Sequence, residues 1–179
     1  LTVIEDPNAI EVGDVLYLPS AEEASAYLAG ERIGPASGDA APEDEWDVVE
    51  IAPGEPIRLG FAAALSGAGV DILGIDERRG AELAVSDRPS IAGHDIELVV
   101  EDSLCSGEGG TAVANKFVAD PSIVAVVGHM CSGSSIPASD IYEEANYTMV
   151  SPSSTAVAFT ARGLAAATRV CWSDAIQGP

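Results

Sequence analysis

Short apolar runs recur through the second half of the chain, at residues 57–63, 96–100, 123–127, 147–150 and 168–172, each bounded by Gly, Pro, Asp or Ser. Runs of this length with turn residues on either side read as buried strands. The segments between them change to a helical spacing. Gly80, Leu83 and Ala84 form an i, i+3, i+4 face, as do Ala114, Phe117 and Val118. A third face, Ala138, Ile141, Tyr142 and Ala145, follows Pro137, which suits a position near a helix start. Strands alternating with helices predict an α/β fold: an open, parallel, five-stranded sheet with helices on both faces, joined by right-handed crossovers.

The regular pattern does not reach the amino-terminal third. Residues 36–56, ASGDAAPEDEWDVVEIAPGEP, hold three prolines, many carboxylates and little periodicity, so they read as a solvated linker. Residues 1–56 carry 14 acids and one base, against 15 acids and seven bases in 57–179. The domain division is therefore 1–35, 36–56 and 57–179. The chain is 47% hydrophobic, enough for the third segment to build one ordinary core. A net charge of −21, with Lys116 the only lysine, sets the chain's own field against phosphate backbones and excludes nucleic acid as a partner. No apolar run approaches the roughly 18 residues of a membrane helix. Leu1 is not an initiator methionine and no signal pattern opens the sequence, so the compartment must be read from other features.

In an open parallel sheet, ligands bind beyond the carboxyl ends of the strands. Those segments share a character here. Strand one leads into Ser66, Gly67, Ala68 and Gly69, and strand two into EDSLCS, residues 101–106. Strand three leads into GHMCSGSS, residues 128–135, and strand four into SPSST, residues 151–155. Hydroxyls and small residues ahead of helices suit a small anionic group such as a carboxylate, although Ser and Thr are also ordinary helix caps. Phosphate fits less well because GxxxxGK is absent and Lys116 lies within a helix; Gly107, Gly109 and Gly110 miss the GxGxxG spacing and read as turn residues. No cofactor or metal site is expected, since three cysteines form no CxxC zinc pattern. One enzymatic reading is open: Cys131 lies two residues from His129 in a strand-to-helix turn, where a thiol nucleophile could be activated.

GHMCSGSSIPASDIYEEANYTMVSPSSTAVAFTARG, residues 128–163, resembles the first lobe of periplasmic leucine/isoleucine/valine-binding proteins. The similarity runs from IAPGEPIRLG through RRGAELAV and TAVANKFVADP to the closing DAIQGP, so it covers residues 51–179. It implies one lobe of a two-lobed periplasmic-binding-protein fold, the extracytoplasmic solute-binding component of an ABC importer, expected to be monomeric and to serve an ABC permease. Ser132 would then meet the carboxylate of an amino-acid ligand, the Ser153 carbonyl its α-ammonium, and Thr155 both ends. Met130 and Cys131 would line the adjacent wall. Leu73 stands where leucine-binding relatives carry an aromatic residue, and Ser153 and Ser154 replace a pair of alanines, so the resemblance does not carry over a side-chain preference. The aliphatic neighbours favour a branched-chain or other small amino acid.

The same resemblance, together with the position of both residues in neighbouring loops after strands two and three at the same end of the sheet, predicts a Cys105–Cys131 disulfide and hence an oxidising compartment, periplasm or cell surface. The family's second lobe, which supplies an acidic partner for the ammonium, has no counterpart in these residues, so the sequence reads as an excerpt. DPNAIEVGDVLYLP, residues 6–19, resembles the closing half of a LysM repeat, a peptidoglycan-binding module, with a short solvated helix over 22–32 after it. Two other functions fit less well: a ligand-sensing receptor domain of the same fold without transport, and a cysteine or serine hydrolase.

Overall fold

The computed structural model describes residues 49, 51–67 and 69–177. Internal packing divides the chain between Val48 and Val49, and every described residue belongs to the second unit, Val49–Pro179. The LysM-like stretch, the 22–32 helix and most of the 36–56 linker lie outside the described residues.

In chain order the elements are β1 (Ile57–Ala63), α1 (Asp71–Asp87), β2 (Ser90–Ile91), β3 (His94–Asp102), α2 (Gly107–Val118) and β4 (Ile123–Gly128). They continue with α3 (Ser132–Glu144), β5 (Met149–Ser151), α4 (Val157–Thr160), β6 (Ala167–Arg169) and α5 (Asp174–Gln177). The strands form one sheet in the order β2-β3-β1-β4-β5-β6. Five of them are mutually parallel, as the alternation predicts. The sixth corrects the five-strand expectation: β2 pairs antiparallel with the edge of β3. It is joined by the two-residue loop Ala92-Gly93, with φ of 52° and 84°. That is the left-handed backbone of a tight hairpin, but Ala in place of Asn or Asp hides the turn, and two residues are too few to show alternation.

β1 is buried on both faces, and its side chains separate two cores. Phe61 and Ala63 join Ala64 and Met130 on the side of α1, where Val70 and Ala81 pack. Ala62 lies on the other side with Ala114 and Phe117 of α2 and Ala138 and Tyr142 of α3. The α2 and α3 faces are those that the spacing predicts. Gly60 admits Phe117, since a Cβ there would sit 2.8 Å from the ring.

Three local readings need correction. Gly80, Leu83 and Ala84 do not face the core; all three are exposed, and α1 instead buries Gly74 and half-buries Glu77, Ala81 and Val85. The rotation is set at Gly74, where any Cβ would overlap the carbonyl of Ala64, so this helix can seat only with its glycine against the strand. Gly107, Gly109 and Gly110 are not a turn but the first residues of α2, capped by Ser106 Oγ accepting from Gly109 N at 3.0 Å. A Cβ on Gly110 would overlap the Ser134 backbone, so these glycines let α2 and α3 cross closely. Finally, Pro137 lies inside α3 rather than at its start. Only one intrahelical bond is lost there, the one that would have reached the first turn.

Candidate functional site

β1 is flanked by β3 on one side and β4 on the other. The chain therefore leaves β1 in one direction and later crosses back past it, and the connections after β1 and β4 diverge. This reversal is where open α/β sheets form a ligand crevice.

Hydroxyl groups stitch the β4–α3 turn to the β5–α4 loop. The carbonyl of His129 accepts from Ser135 Oγ at 2.8 Å, Ser151 Oγ at 2.6 Å and Ser154 Oγ at 3.1 Å. The carbonyl of Met130 lies 3.1 Å from Ser153 Oγ and 3.0 Å from Ser154 Oγ. Ser132 Oγ, at the first position of α3, accepts the amide of Ala156 at 3.1 Å. From behind, Arg169 donates to the carbonyls of Ser154 at 3.0 Å and Ala156 at 2.9 Å, with its guanidinium over the Phe159 ring. Thr155 is thus held between two anchored neighbours, and its own carbonyl accepts Asp174 N at 2.9 Å. Met130, Cys131, Ser132, Ser153 and Thr155 all fall on these two adjoining segments. Their serines are spent partly on building the loop: Ser154 is fully buried, while Ser132, Ser153 and Thr155 are half-buried.

Cys105 and Cys131 form a disulfide with Cα atoms 5.2 Å apart, joining the β3–α2 loop to the residue before α3. Leu104 and Cys105 both have φ of 53°, a left-handed conformation costly for side-chain-bearing residues. Asp102 supports it by accepting Leu104 N at 2.9 Å and, from the loop after β1, Leu65 N at 3.0 Å and the Ser66 hydroxyl at 2.5 Å. Burial works against the Asp102 charge, but these donors outweigh it and hold the carboxyl below its usual range.

Leu73 does not join this network. It lies in the first turn of α1 and is 58% exposed. The residue of α1 that does reach the loops is Glu77, whose carboxylate accepts the Ser153 hydroxyl at 2.6 Å. Burial raises the Glu77 carboxyl above its usual range, partly offset by that hydrogen bond. Sequence reading missed Glu77 and Arg169, and placed Asp102 in the loop after strand two without giving it a role. Glu77 sits in a DERR run that looks like a solvated face, and none of the three has a local motif; only strand order brings them to the crevice.

The thiol-nucleophile reading is overturned. Cys131 carries no thiol, and His129 is fully buried, its Nε2 3.0 Å from the Tyr142 hydroxyl. Desolvation depresses the His129 pKa to about 4, so the ring is neutral near pH 7 and faces the core rather than the crevice. Among the described residues no His, Cys, Asp and Glu cluster is placed to hold a metal ion, and no helix is long and apolar enough to cross a membrane.

Comparison with known proteins adds to this geometry. Residues 56–173 match the family model described as periplasmic binding protein. The Leu/Ile/Val-binding protein of Escherichia coli K12 is 41% identical over 132 residues, covering 72% of this chain and 35% of that protein. The Leu/Ile/Val/Thr-binding protein of Salmonella typhimurium is 40% identical over 128 residues, covering 70% of this chain and 34% of that protein. Among solved structures, the ABC transporter substrate-binding protein of Desulfitobacterium hafniense in complex with Leu superposes with a TM-score of 0.59 at 33% identity, covering 67% of this chain and 35% of that one. The branched-chain amino acid transporter substrate-binding protein of Streptococcus pneumoniae in complex with isoleucine gives 0.62 at 28% identity, with the same coverage. The chain spans about a third of the length of the curated relatives it matches.

Proposed function

The chain belongs to the periplasmic binding protein family, and from that premise we propose that its α/β unit is the first lobe of an extracytoplasmic solute-binding protein of an ABC importer. The ligand is a branched-chain or other small aliphatic amino acid. Ser132, through its hydroxyl and amide, and the Gly133 amide receive its carboxylate, ahead of the Ser134 and Ser135 amides that already bond the Cys131 carbonyl. The Ser153 carbonyl takes the α-ammonium and Thr155 contacts both ends. Met130 and Leu73 border the aliphatic side chain, with the Cys105–Cys131 bridge closing the wall behind Ser132.

The observation that carries this reading is the Ser132–Ala156 hydrogen bond at 3.1 Å, which sets the two hydroxyl-rich loops edge to edge at the reversal of strand order. Neither loop contains Arg or Lys, so an anion is met by oriented dipoles, as suits a zwitterion whose own ammonium lies close by. The disulfide fits an oxidising compartment outside the cytoplasmic membrane, where the partner is a membrane permease.

Calorimetry with leucine, isoleucine and valine on the protein as encoded in full by its gene tests the proposal. Ser132→Ala and Thr155→Ala should each weaken binding by about 1.5–3 kcal/mol, the range for a hydrogen bond to a charged group. Unchanged affinity in the double variant would move the site away from these loops.

A further inference from the structure

Glu77 is an acidic side chain that folding alone does not account for. It lies one turn beyond Gly74, the residue that seats α1 against Ala64, so the helix brings it to the crevice in a fixed position. One carboxylate oxygen accepts the Ser153 hydroxyl at 2.6 Å; the other, Oε2, is buried without a hydrogen-bond partner. A carboxylate oxygen removed from water with no donor is a standing cost to the fold. The neighbouring bases do not relieve it: Arg78 pairs with Glu82 at 2.7 Å and Arg79 with Asp76 at 3.0 Å.

The bond to Ser153 gives the charge a direction. A serine hydroxyl has one proton, and its contact with Glu77 is shorter than the 3.1 Å contact with the Met130 carbonyl, so Glu77 takes it. The hydroxyl and carbonyl of one serine are only a few bonds apart, which puts the Glu77 charge within one residue of the proposed ammonium position. Residues 128–135 and 151–156 contain no Asp or Glu of their own. We propose that Glu77 is a specificity-determining residue, the first lobe's own anionic group, which selects ligands bearing an α-ammonium over des-amino acids of the same shape. This inference rests on the amino-acid reading above. At short range and partial burial, an opposite charge shifts an equilibrium by an order of magnitude or more, while a neutral ligand end gains nothing from it.

The test compares L-leucine with 4-methylpentanoate, its des-amino analogue, by calorimetry on the protein as encoded in full by its gene, unmutated and as Glu77→Gln. Unmutated protein should prefer leucine, and Glu77→Gln should shrink that preference by about tenfold or more while changing 4-methylpentanoate binding little. Because the readout is a ratio within one sample, loss of folded material does not imitate it. Should Glu77→Gln not fold, Glu77→Met, uncharged and of similar length, gives the same comparison. A preference that survives both variants, or equal losses for the two ligands, overturns the inference and leaves the amino-acid reading in place. Unmutated protein that binds neither ligand overturns the amino-acid reading and the inference with it.

Discussion

Cys105 and Cys131 are bonded across the carboxyl ends of β3 and β4, and Cys131 immediately precedes Ser132, the proposed carboxylate contact. The bridge therefore fixes the start of α3 as well as the left-handed backbone at Leu104 and Cys105.

Closing a loop with a sequence separation of 26 should stabilise the fold by about 3 kcal/mol, chiefly by restricting the unfolded chain. Reduction should lower the melting temperature by on the order of 10 °C in a unit of this size. In denatured, unreduced protein one thiol per chain, that of Cys171, should react with a thiol reagent. A count of three would remove the bond.

The parallel strands and the α2 and α3 faces are legible because each rests on a local signal, a short apolar run between turn residues or i, i+3, i+4 spacing, as in Ala114, Phe117 and Val118. The α1 face is not, because its orientation is set by a close approach at Gly74 that leaves no apolar signature. The hydroxyl-rich loops could be read as a group from their position at strand ends. Their supports could not: Glu77 and Ser153 are 76 residues apart, Asp102 and Leu65 37 apart, and only the sheet order joins them.

The two α1 glycines should respond in opposite directions. Gly74→Ala places a methyl group against the Ala64 carbonyl, and the rigid strand backbone cannot yield without moving the helix, so a loss of about 1–3 kcal/mol is expected. Gly80 has open space around its Cβ position and lies mid-helix, so Gly80→Ala should stabilise by about 0.5–1 kcal/mol through helix propensity. Urea unfolding of both variants measures the pair; equal signs would contradict the observed packing of α1.

Arg169 holds the β5–α4 loop by its carbonyls, and no other described base approaches Ser154 or Ala156. Arg169→Met removes the guanidinium from the Phe159 ring and takes the charged donor from both carbonyls, leaving Ala156 O with the Phe159 amide and Ser154 O with the weak Cys171 thiol, and should cost about 2 kcal/mol in stability. Arg169→Lys should recover only part of that, since an ammonium lacks the planar fork that spans two acceptors. If the loop positions Thr155 as proposed, ligand affinity should fall in the same order as stability.

His129 and Tyr142 form a buried pair whose response to acid follows from its isolation. The imidazole is held neutral by desolvation, its pKa lowered from 6.5 to about 4, with Nε2 at 3.0 Å from the Tyr142 hydroxyl and Nδ1 unpartnered. In the unfolded chain the ring takes its proton near pH 6.5, so between that pH and about 4 the unfolded state binds more protons than the folded one. The stability due to this difference is complete above pH 6.5 and is lost as the pH falls toward 4. Integrated from pH 7 to 4.5 it amounts to about 2–3 kcal/mol. Asp102, with its lowered pKa, also loses stability on acidification, whereas the raised pKa of half-buried Glu77 acts in the opposite sense and weakly. Both contributions are common to the unmutated protein and a His129→Gln variant, so the difference between their stability–pH profiles isolates the imidazole. His129→Gln should be the less stable of the two at pH 7, through lost packing, but should lose less on going to pH 4.5. Parallel profiles would mean that the ring already finds a proton acceptor in the folded protein.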